Sequence, residues 1–209
     1  MVVTSIEKQN KEKNKYSIFI DYEYHFSLSL SDIEYFKIKL YEEISENTYN
    51  YITQTLLYIK AQNVALNFLA YKMRTEKEIY FKLYEKKYSE DIIFKVIDFL
   101  KKYKYIDDNK YCESYINESK NLKKKGQYLI KYELLKRGID ENLIYSKFIE
   151  MNIDEIEFEY IIEFLRKKIK NFCEIDFKLN KKIFSMLQMK GYKYDTIKTA
   201  FDMIKEEYL

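Results

Sequence analysis

The stretch "LLKRGIDENLI", Leu134 to Ile144, reads as the end of one helix, a glycine stop and the start of another helix. A similar phrase, "LQMKGYKYDTI", returns at Leu187 to Ile197, and a third version, "LYEKKYSEDII", occupies Leu83 to Ile93. The chain has 3 glycines, and two of them stand at the same position of this phrase. Glycine readily adopts the left-handed conformation that ends many helices. The phrase therefore predicts a helix, a tight stop and a helix that returns across the first.

The three phrases align without gaps, and six of the aligned columns are apolar. The columns are Ile79, Ile130 and Ile183; Leu83, Leu134 and Leu187; Tyr88, Ile139 and Tyr192; Ile93, Ile144 and Ile197; Ile97, Phe148 and Phe201; Leu100, Met151 and Ile204. A basic column, Lys86, Arg137 and Lys190, precedes the glycine position. Lys87 occupies that position in the first copy, where we expect a strained or differently built turn.

The spacing of the copies leaves room for a third helix in each. Modules of this size bury their apolar faces by stacking on one another. We therefore expect a mainly α protein whose tandem three-helix repeats form a curved, elongated array. The expected divisions are a β-rich element with a short helix at 1–45, followed by helical repeats at 46–120, 121–155 and 156–209.

The first 30 residues differ from the rest of the chain. The segment "YSIFIDYEYHFSLSL" has the short apolar and aromatic runs of strands, and "QNKEKNK" before it can turn a hairpin against "VVTSIEK". We expect a small antiparallel element there. Ser31 followed by Glu34 fits a capping box and predicts a short helix from Ser31. The stretch "KIKLYEEI" fits either a strand or a continued helix.

Helical spacing of apolar residues begins at about Ser45. Further helix starts are predicted by the capping box of Thr75 and Glu78, and by Asp107 and Asp140, which are placed to accept from free backbone amides. One broad apolar face is expected from Leu56, Ile59, Val64, Phe68 and Tyr71.

Composition favours a soluble cytoplasmic protein with a real core. The 209 residues are 47% apolar, the N-terminus lacks a signal-peptide core, and no apolar run is long enough for a membrane span. Cys112 and Cys173 have no second cysteine or histidine at ligand spacing, so we interpret them as small buried hydrophobic residues. We expect no metal and no cofactor.

Charge is distributed in blocks, although the net charge is only +3. Residues 101–138 carry a surplus of six positive charges, 139–163 a surplus of seven negative charges, and 164–209 a surplus of five positive charges. Such blocks suit a charged partner or solvated helix surfaces.

Catalytic groups are scarce in this sequence. The glycines are isolated, so there is no glycine-rich phosphate loop. The only histidine, His25, lies in a predicted strand beside Phe26, where a structural role is expected. The sequence therefore favours a protein without enzymatic activity.

The region from "RTEKEIYFKLYEKKYSEDII" onward resembles the RecX family of bacterial regulators of the RecA recombinase. The resemblance spans almost the whole chain. The matching first-repeat residues are Lys72, Arg74, Thr75, Glu78, Ile79, Lys82, Leu83, Lys86 and Tyr88. The next signature is matched by Tyr105, Ile106, Asp107 and Asp108. The second and third repeats are matched by Lys125, Gly126, Leu134, Arg137, Gly138, Ile139, Lys181, Lys182, Leu187, Lys190, Gly191 and Tyr192. The departures are Lys87 and Lys104, where the family usually has glycine, and Cys112, where alanine is common.

The resemblance implies a monomeric, non-enzymatic inhibitor that lodges in the groove of the RecA nucleoprotein filament and hinders ATP hydrolysis, strand exchange and filament growth. Its partners would be RecA and the single-stranded DNA within the filament. The candidate contacts are Lys123, Lys124, Lys125, Arg166, Lys167 and Lys168. We interpret Arg74, Glu78, Tyr105, Asp107, Asp108, Gly138 and Gly191 as fold determinants. The alternative is a helical nucleic-acid-binding protein that acts without RecA through the same basic runs, with a steep salt dependence.

Overall fold

The structure, a computed structural model, describes residues 1–10, 14–169 and 177–207, without the side chains of Phe177 and Lys178. The chain divides into two compact units, Met1–Ile106 and Asp107–Leu209. Cys173 and residues 11–13 of the predicted hairpin connection lie outside the described residues.

The first unit begins with a three-stranded antiparallel sheet. Its strands are β1 (Val3–Lys8), β2 (Lys15–Ile20) and β3 (Glu23–Ser29), in the order β1-β2-β3. The predicted hairpin of the first two strands is confirmed. The segment "YSIFIDYEYHFSLSL", which was predicted to contain short strands, forms β2 and β3, because Asp21 and Tyr22 adopt positive φ angles of 50° and 71° and reverse the chain between them.

Helix α1 (Leu30–Tyr35) starts earlier than the sequence predicts. The capping box is formed by Ser29 and Asp32, because the Asp32 carboxylate accepts from the Ser29 backbone amide at 2.9 Å and the Ser29 hydroxyl accepts from the Asp32 amide. The predicted pair of Ser31 and Glu34 was therefore wrong by two residues. Ser29 also ends β3, so the strand passes directly into the helix.

Helix α2 (Glu46–Tyr51) starts at its N-cap Ser45 as predicted and continues through a π-helical segment, Ile52–Leu56, into α3 (Leu57–Leu69). The predicted apolar face was partly right, because Leu56, Val64 and Phe68 are half-buried against the core, but these residues do not form the centre of that face. Ile52, Leu57, Ala61 and Ala65 are buried instead, whereas Ile59 and Tyr71 are exposed. The stretch "KIKLYEEI" forms neither a strand nor a helix, but turns with a single bridge between Val2 and Glu43.

Helices α4 (Glu76–Glu85) and α5 (Glu90–Lys102) complete the first three-helix module with α3. The second module consists of α6 (Asp108–Asn121), α7 (Gln127–Lys136) and α8 (Glu141–Glu150). The third consists of α9 (Ile153–Lys168), α10 (Phe177–Met189) and α11 (Tyr194–Glu206). The predicted class, mainly α with a small N-terminal β element and three-helix repeats, is confirmed.

The repeated phrases lie at the same place in each module, the turn between its second and third helices. All six predicted apolar columns are buried or half-buried. Lys87, Gly138 and Gly191 all adopt the left-handed conformation, with φ of 66°, 87° and 93°. The lysine in the first copy therefore keeps the glycine geometry, so the turn has the same form with a less suitable residue.

Each module of the second unit has a core of its own. One core gathers residues of α6 to α8, including Cys112, Ile116 and Leu134, and the other gathers residues of α9 to α11. In the first unit the module and the sheet share one core. Burial raises the pKa of the Cys112 thiol to about 11, which suits the predicted role of a small hydrophobic residue.

Candidate partner-binding surfaces

The first basic run, Lys123 to Lys125, lies in the loop between α6 and α7, where all three lysines have partners. Lys123 forms an ion pair with Glu118 at 2.6 Å. Lys125 donates to both carboxylate oxygens of Glu133, at 2.5 and 2.6 Å. Lys124 lies 5.3 Å from the centre of the Tyr160 ring on α9. The loop is thus joined by its cations to α6, α7 and α9.

Glu133 is the most constrained partner of this run. Burial opposes its ionisation, but hydrogen bonds from Lys125 and from the Tyr115 hydroxyl outweigh burial and lower its pKa. Arg137, from the basic column of the repeat, lies over the Tyr115 ring and donates to the Tyr111 hydroxyl at 2.9 Å. Lys125 is therefore part of an internal polar cluster.

The second basic run, Arg166 to Lys168, ends helix α9, where cations are favoured by the helix dipole. Arg166 forms an ion pair with Glu207 at 2.5 Å. Lys167 approaches Glu163 at only 3.7 Å, and its side chain is 73% exposed. Lys168 forms no ion pair with any residue that the structure describes. Lys167 and Lys168 are consequently the most available of the six predicted contacts.

A close backbone contact joins the second and third modules directly after the first basic run. Gly126, the N-cap of α7, donates to the Lys190 carbonyl at 2.8 Å, and Tyr128 donates to the Gly191 carbonyl at 3.1 Å. A Cβ on Gly126 would lie 2.3 Å from the Gly191 carbonyl carbon. Glycine at both positions is what lets the two backbones approach this closely.

Side chains of the third module complete the cap of α7. Glu157, which is 3% exposed, accepts from the Gln127 backbone amide and, at 3.2 Å, from the Gln127 side chain. The same side-chain amide donates to Asp154 at 2.5 Å, and Lys193 donates to Asp154 at 3.0 Å. The free amides at the start of α7 are therefore satisfied by another module instead of a local capping residue.

Burial raises the pKa of Glu157 to about 7, although the hydrogen bonds from Gln127 partly oppose this shift. Asp154 also repels the ionised form, whereas Lys193 favours it. Sequence reasoning missed Gln127 and Glu157. Glu157 stands in an acidic, alternating stretch that is typical of a solvated helix face, so its burial has no local signal.

The predicted fold determinants lie in turns and caps. Thr75 and Glu78 form the predicted capping box, and the Arg74 guanidinium stacks 3.7 Å from the centre of the Phe68 ring. The Asp107 carboxylate accepts from the Lys110 amide at 3.0 Å and starts α6. The remaining positions are Tyr105, exposed before that helix; Asp108, in its first turn; and Gly138 and Gly191, in the repeated turns.

Among the described residues, no helix combines the length and apolar character needed to cross a membrane.

A small antiparallel sheet and three helical modules with one shared turn geometry define a tandem helical-repeat protein. The sequence matches the "Regulatory protein RecX N-terminal domain" over residues 1–45. It also matches the first, second and third three-helix domains of RecX over 61–100, 107–145 and 154–201. The chain belongs to the RecX family, as its resemblance indicated.

Individual relatives agree with this assignment. "Regulatory protein RecX" of Clostridium acetobutylicum is 35% identical over 199 residues, covering 93% of this chain and 92% of the relative. That of Finegoldia magna is 35% identical over 211 residues, covering 97% and 100%. A crystal structure of regulatory protein RecX superimposes with a TM-score of 0.64 at 26% identity, covering 96% and 98%. RecX from Lactobacillus salivarius gives a TM-score of 0.64 at 32% identity, covering 71% and 96%.

Proposed function

We propose that this protein regulates homologous recombination and DNA repair by binding in the groove of the RecA nucleoprotein filament. There it inhibits ATP hydrolysis and strand exchange by RecA and limits filament growth, without catalysing a reaction itself. Membership of a family of regulatory proteins over nearly the full chain is the observation that carries this proposal.

The second unit supports binding to a regular partner. Its two modules are joined by main-chain hydrogen bonds at Gly126 and Tyr128, so that their surfaces are held at a fixed spacing. A filament repeats the same surface at a fixed interval, and a preorganised pair of modules loses little entropy on binding it. The exposed Lys167 and Lys168 supply positive charge for acidic protomer surfaces or for DNA phosphates.

The test follows ATP hydrolysis by RecA on single-stranded DNA while this protein is added. Inhibition is expected at amounts comparable to RecA. Absence of inhibition at stoichiometric levels would contradict the proposal.

A second titration tests the alternative, in which the protein binds nucleic acid independently of RecA. It uses labelled single-stranded DNA at two salt concentrations, without RecA. The proposed regulator binds weakly under these conditions, because five of its six candidate cations have partners within the protein, although that of Lys167 is distant at 3.7 Å. Tight binding that weakens steeply with salt would favour the alternative.

A further inference from the structure

A basic cavity of about 270 Å³ lies in the first unit. Its walls come from β2, β3, the helix containing the π-helical segment, the turn between α4 and α5, and the first turns of α5. The described residues that line it include four lysines, Lys15, Lys86, Lys87 and Lys95, and a single carboxylate, Asp91. None of these residues belongs to the basic runs predicted from the sequence.

The lysines are positioned by the walls of the cavity. The Lys15 ammonium group donates to the Lys86 carbonyl at 3.3 Å and lies 5.6 Å from the centre of the Tyr88 ring. Lys95 donates to the Gln54 side-chain oxygen at 3.3 Å. Lys87 is exposed at the left-handed turn and forms no ion pair with the residues that the structure describes.

Other polar groups complete the lining. Thr53 and Gln54 belong to the π-helical segment Ile52–Leu56. Such segments are rare and frequently lie at functional sites, because the extra residue per turn redirects side chains. The His25 ring also faces the cavity, and its Nδ1 is hydrogen-bonded to the Tyr49 hydroxyl at 2.9 Å.

Lys87 and Lys95 form no ion pair with the residues that the structure describes, so their positive charge at the edge of the cavity attracts an anion. A phosphate group offers more charge and more acceptor oxygens than a carboxylate, and lysines bind it readily. The volume lies just below the usual range of small-molecule sites, which suits the phosphate end of a nucleotide. We propose that this cavity binds the phosphate groups of a nucleotide, either free or as part of a single strand.

The test measures binding to the intact protein without RecA and without divalent cations, so its failure would leave the filament proposal standing. The probes are ADP, inorganic pyrophosphate, adenosine and a short oligothymidylate. Their binding is measured by calorimetry and by the rise in the melting temperature of the protein. ADP and pyrophosphate are expected to bind and adenosine is not. Binding of the oligothymidylate alone would identify a strand as the source of the phosphates, provided that the variants below weaken it.

Lys87→Gly is the key variant, because it removes one cation while relieving a left-handed lysine. It is expected to weaken phosphate binding by about fivefold while the unliganded protein becomes more stable, so misfolding cannot explain the loss. Lys104→Gly is the matched control. Lys104 has φ of 57° in the same unit but does not line the cavity, so its replacement should leave binding unchanged. Lys95→Gln provides a second loss of charge.

Two results would overturn the proposal. One is that none of the phosphate-bearing probes binds. The other is that Lys87→Gly and Lys104→Gly have equal effects on affinity.

Discussion

Lys87 occupies a backbone position that suits glycine. Its φ of 66° is close to the values of Gly138 and Gly191 in the other two modules, although a side chain in this conformation costs about 1 kcal/mol or more. The position tolerates lysine because the side chain is exposed, so the cost is limited to the backbone. The register of the repeat could be predicted from the glycines alone, and the turn at Lys87 could be placed only because its neighbours aligned.

Lys87→Gly is predicted to raise the free energy of unfolding by about 1 kcal/mol, because glycine adopts this conformation without steric strain. Denaturant unfolding of the intact protein measures the change. Gly138→Lys should lower the free energy by a similar amount. An unchanged midpoint in both variants would contradict the assignment of strain to this turn position.

Gly126 is required for a different reason, since its φ of −80° is ordinary. A methyl group there would meet the Gly191 carbonyl, so Gly126→Ala is predicted to destabilise the protein by about 3 kcal/mol through overpacking and lost hydrogen bonds. The control is Gly138→Ala, which should cost only about 1 kcal/mol for its left-handed backbone. Equal losses in urea unfolding would mean that the close contact is unimportant.

At the scale of elements, local capping signals predicted helix starts well where the partner lies within three residues. Thr75, Asp107 and Asp140 all cap as expected. The start of α1 was misplaced because Ser31 with Glu34 and Ser29 with Asp32 both fit the pattern, and pairing of β3 with β2 selects the second. The start of α7 gave no local signal, because its partners come from the third module.

Glu157 makes the junction at α7 sensitive to pH. Its pKa is raised by burial to about 7 in the folded protein, whereas an unfolded glutamate titrates near 4.5. The folded state therefore binds more protons between these values, and the contribution of Glu157 to stability falls as pH rises from about 4.5 to about 7.

Glu157→Gln is predicted to remove this part of the pH dependence, because a neutral amide at this position neither loses a proton nor repels Asp154. Relative to the variant, the wild-type protein should lose on the order of 2 kcal/mol of stability between about pH 5 and about pH 8. Urea unfolding at several pH values measures the difference. Parallel curves for the two proteins would show that Glu157 titrates as an ordinary surface residue.

At the scale of the whole molecule, the order of the modules was accessible from sequence because each carries the same turn and the same apolar columns. The ion pairing of individual lysines could not be predicted from the sequence. Lys123 and Lys125 look identical to Lys167 and Lys168 in a sequence, yet Glu118 and Glu133 pair with the first two. The cavity of the first unit could not be predicted from the sequence either, because the residues that line it are far apart in the chain, as Lys15, Gln54 and Lys95 are.

The proposed filament contact predicts a ranking among the cations. Lys167→Glu combined with Lys168→Glu should reduce inhibition of RecA by about tenfold, because two exposed charges are reversed. A matched double variant, Lys136→Glu with Lys198→Glu, reverses two exposed lysines on other helices of the same unit. Equal loss of inhibition in both variants would indicate a general charge effect and not a contact at the end of α9.

The cap that the third module supplies to α7 also decides how the first residues of α7 exchange their amide protons with solvent. The amides of Gly126, Gln127 and Tyr128 donate to Lys190, Glu157 and Gly191, all in the third module. In deuterated water, labelling at these three sites should therefore report the transient opening of the C-terminal module, even though they belong to a helix of the middle one. The first turn of α7 would then lose its protection together with the C-terminal module, although the sequence assigns it to the middle one.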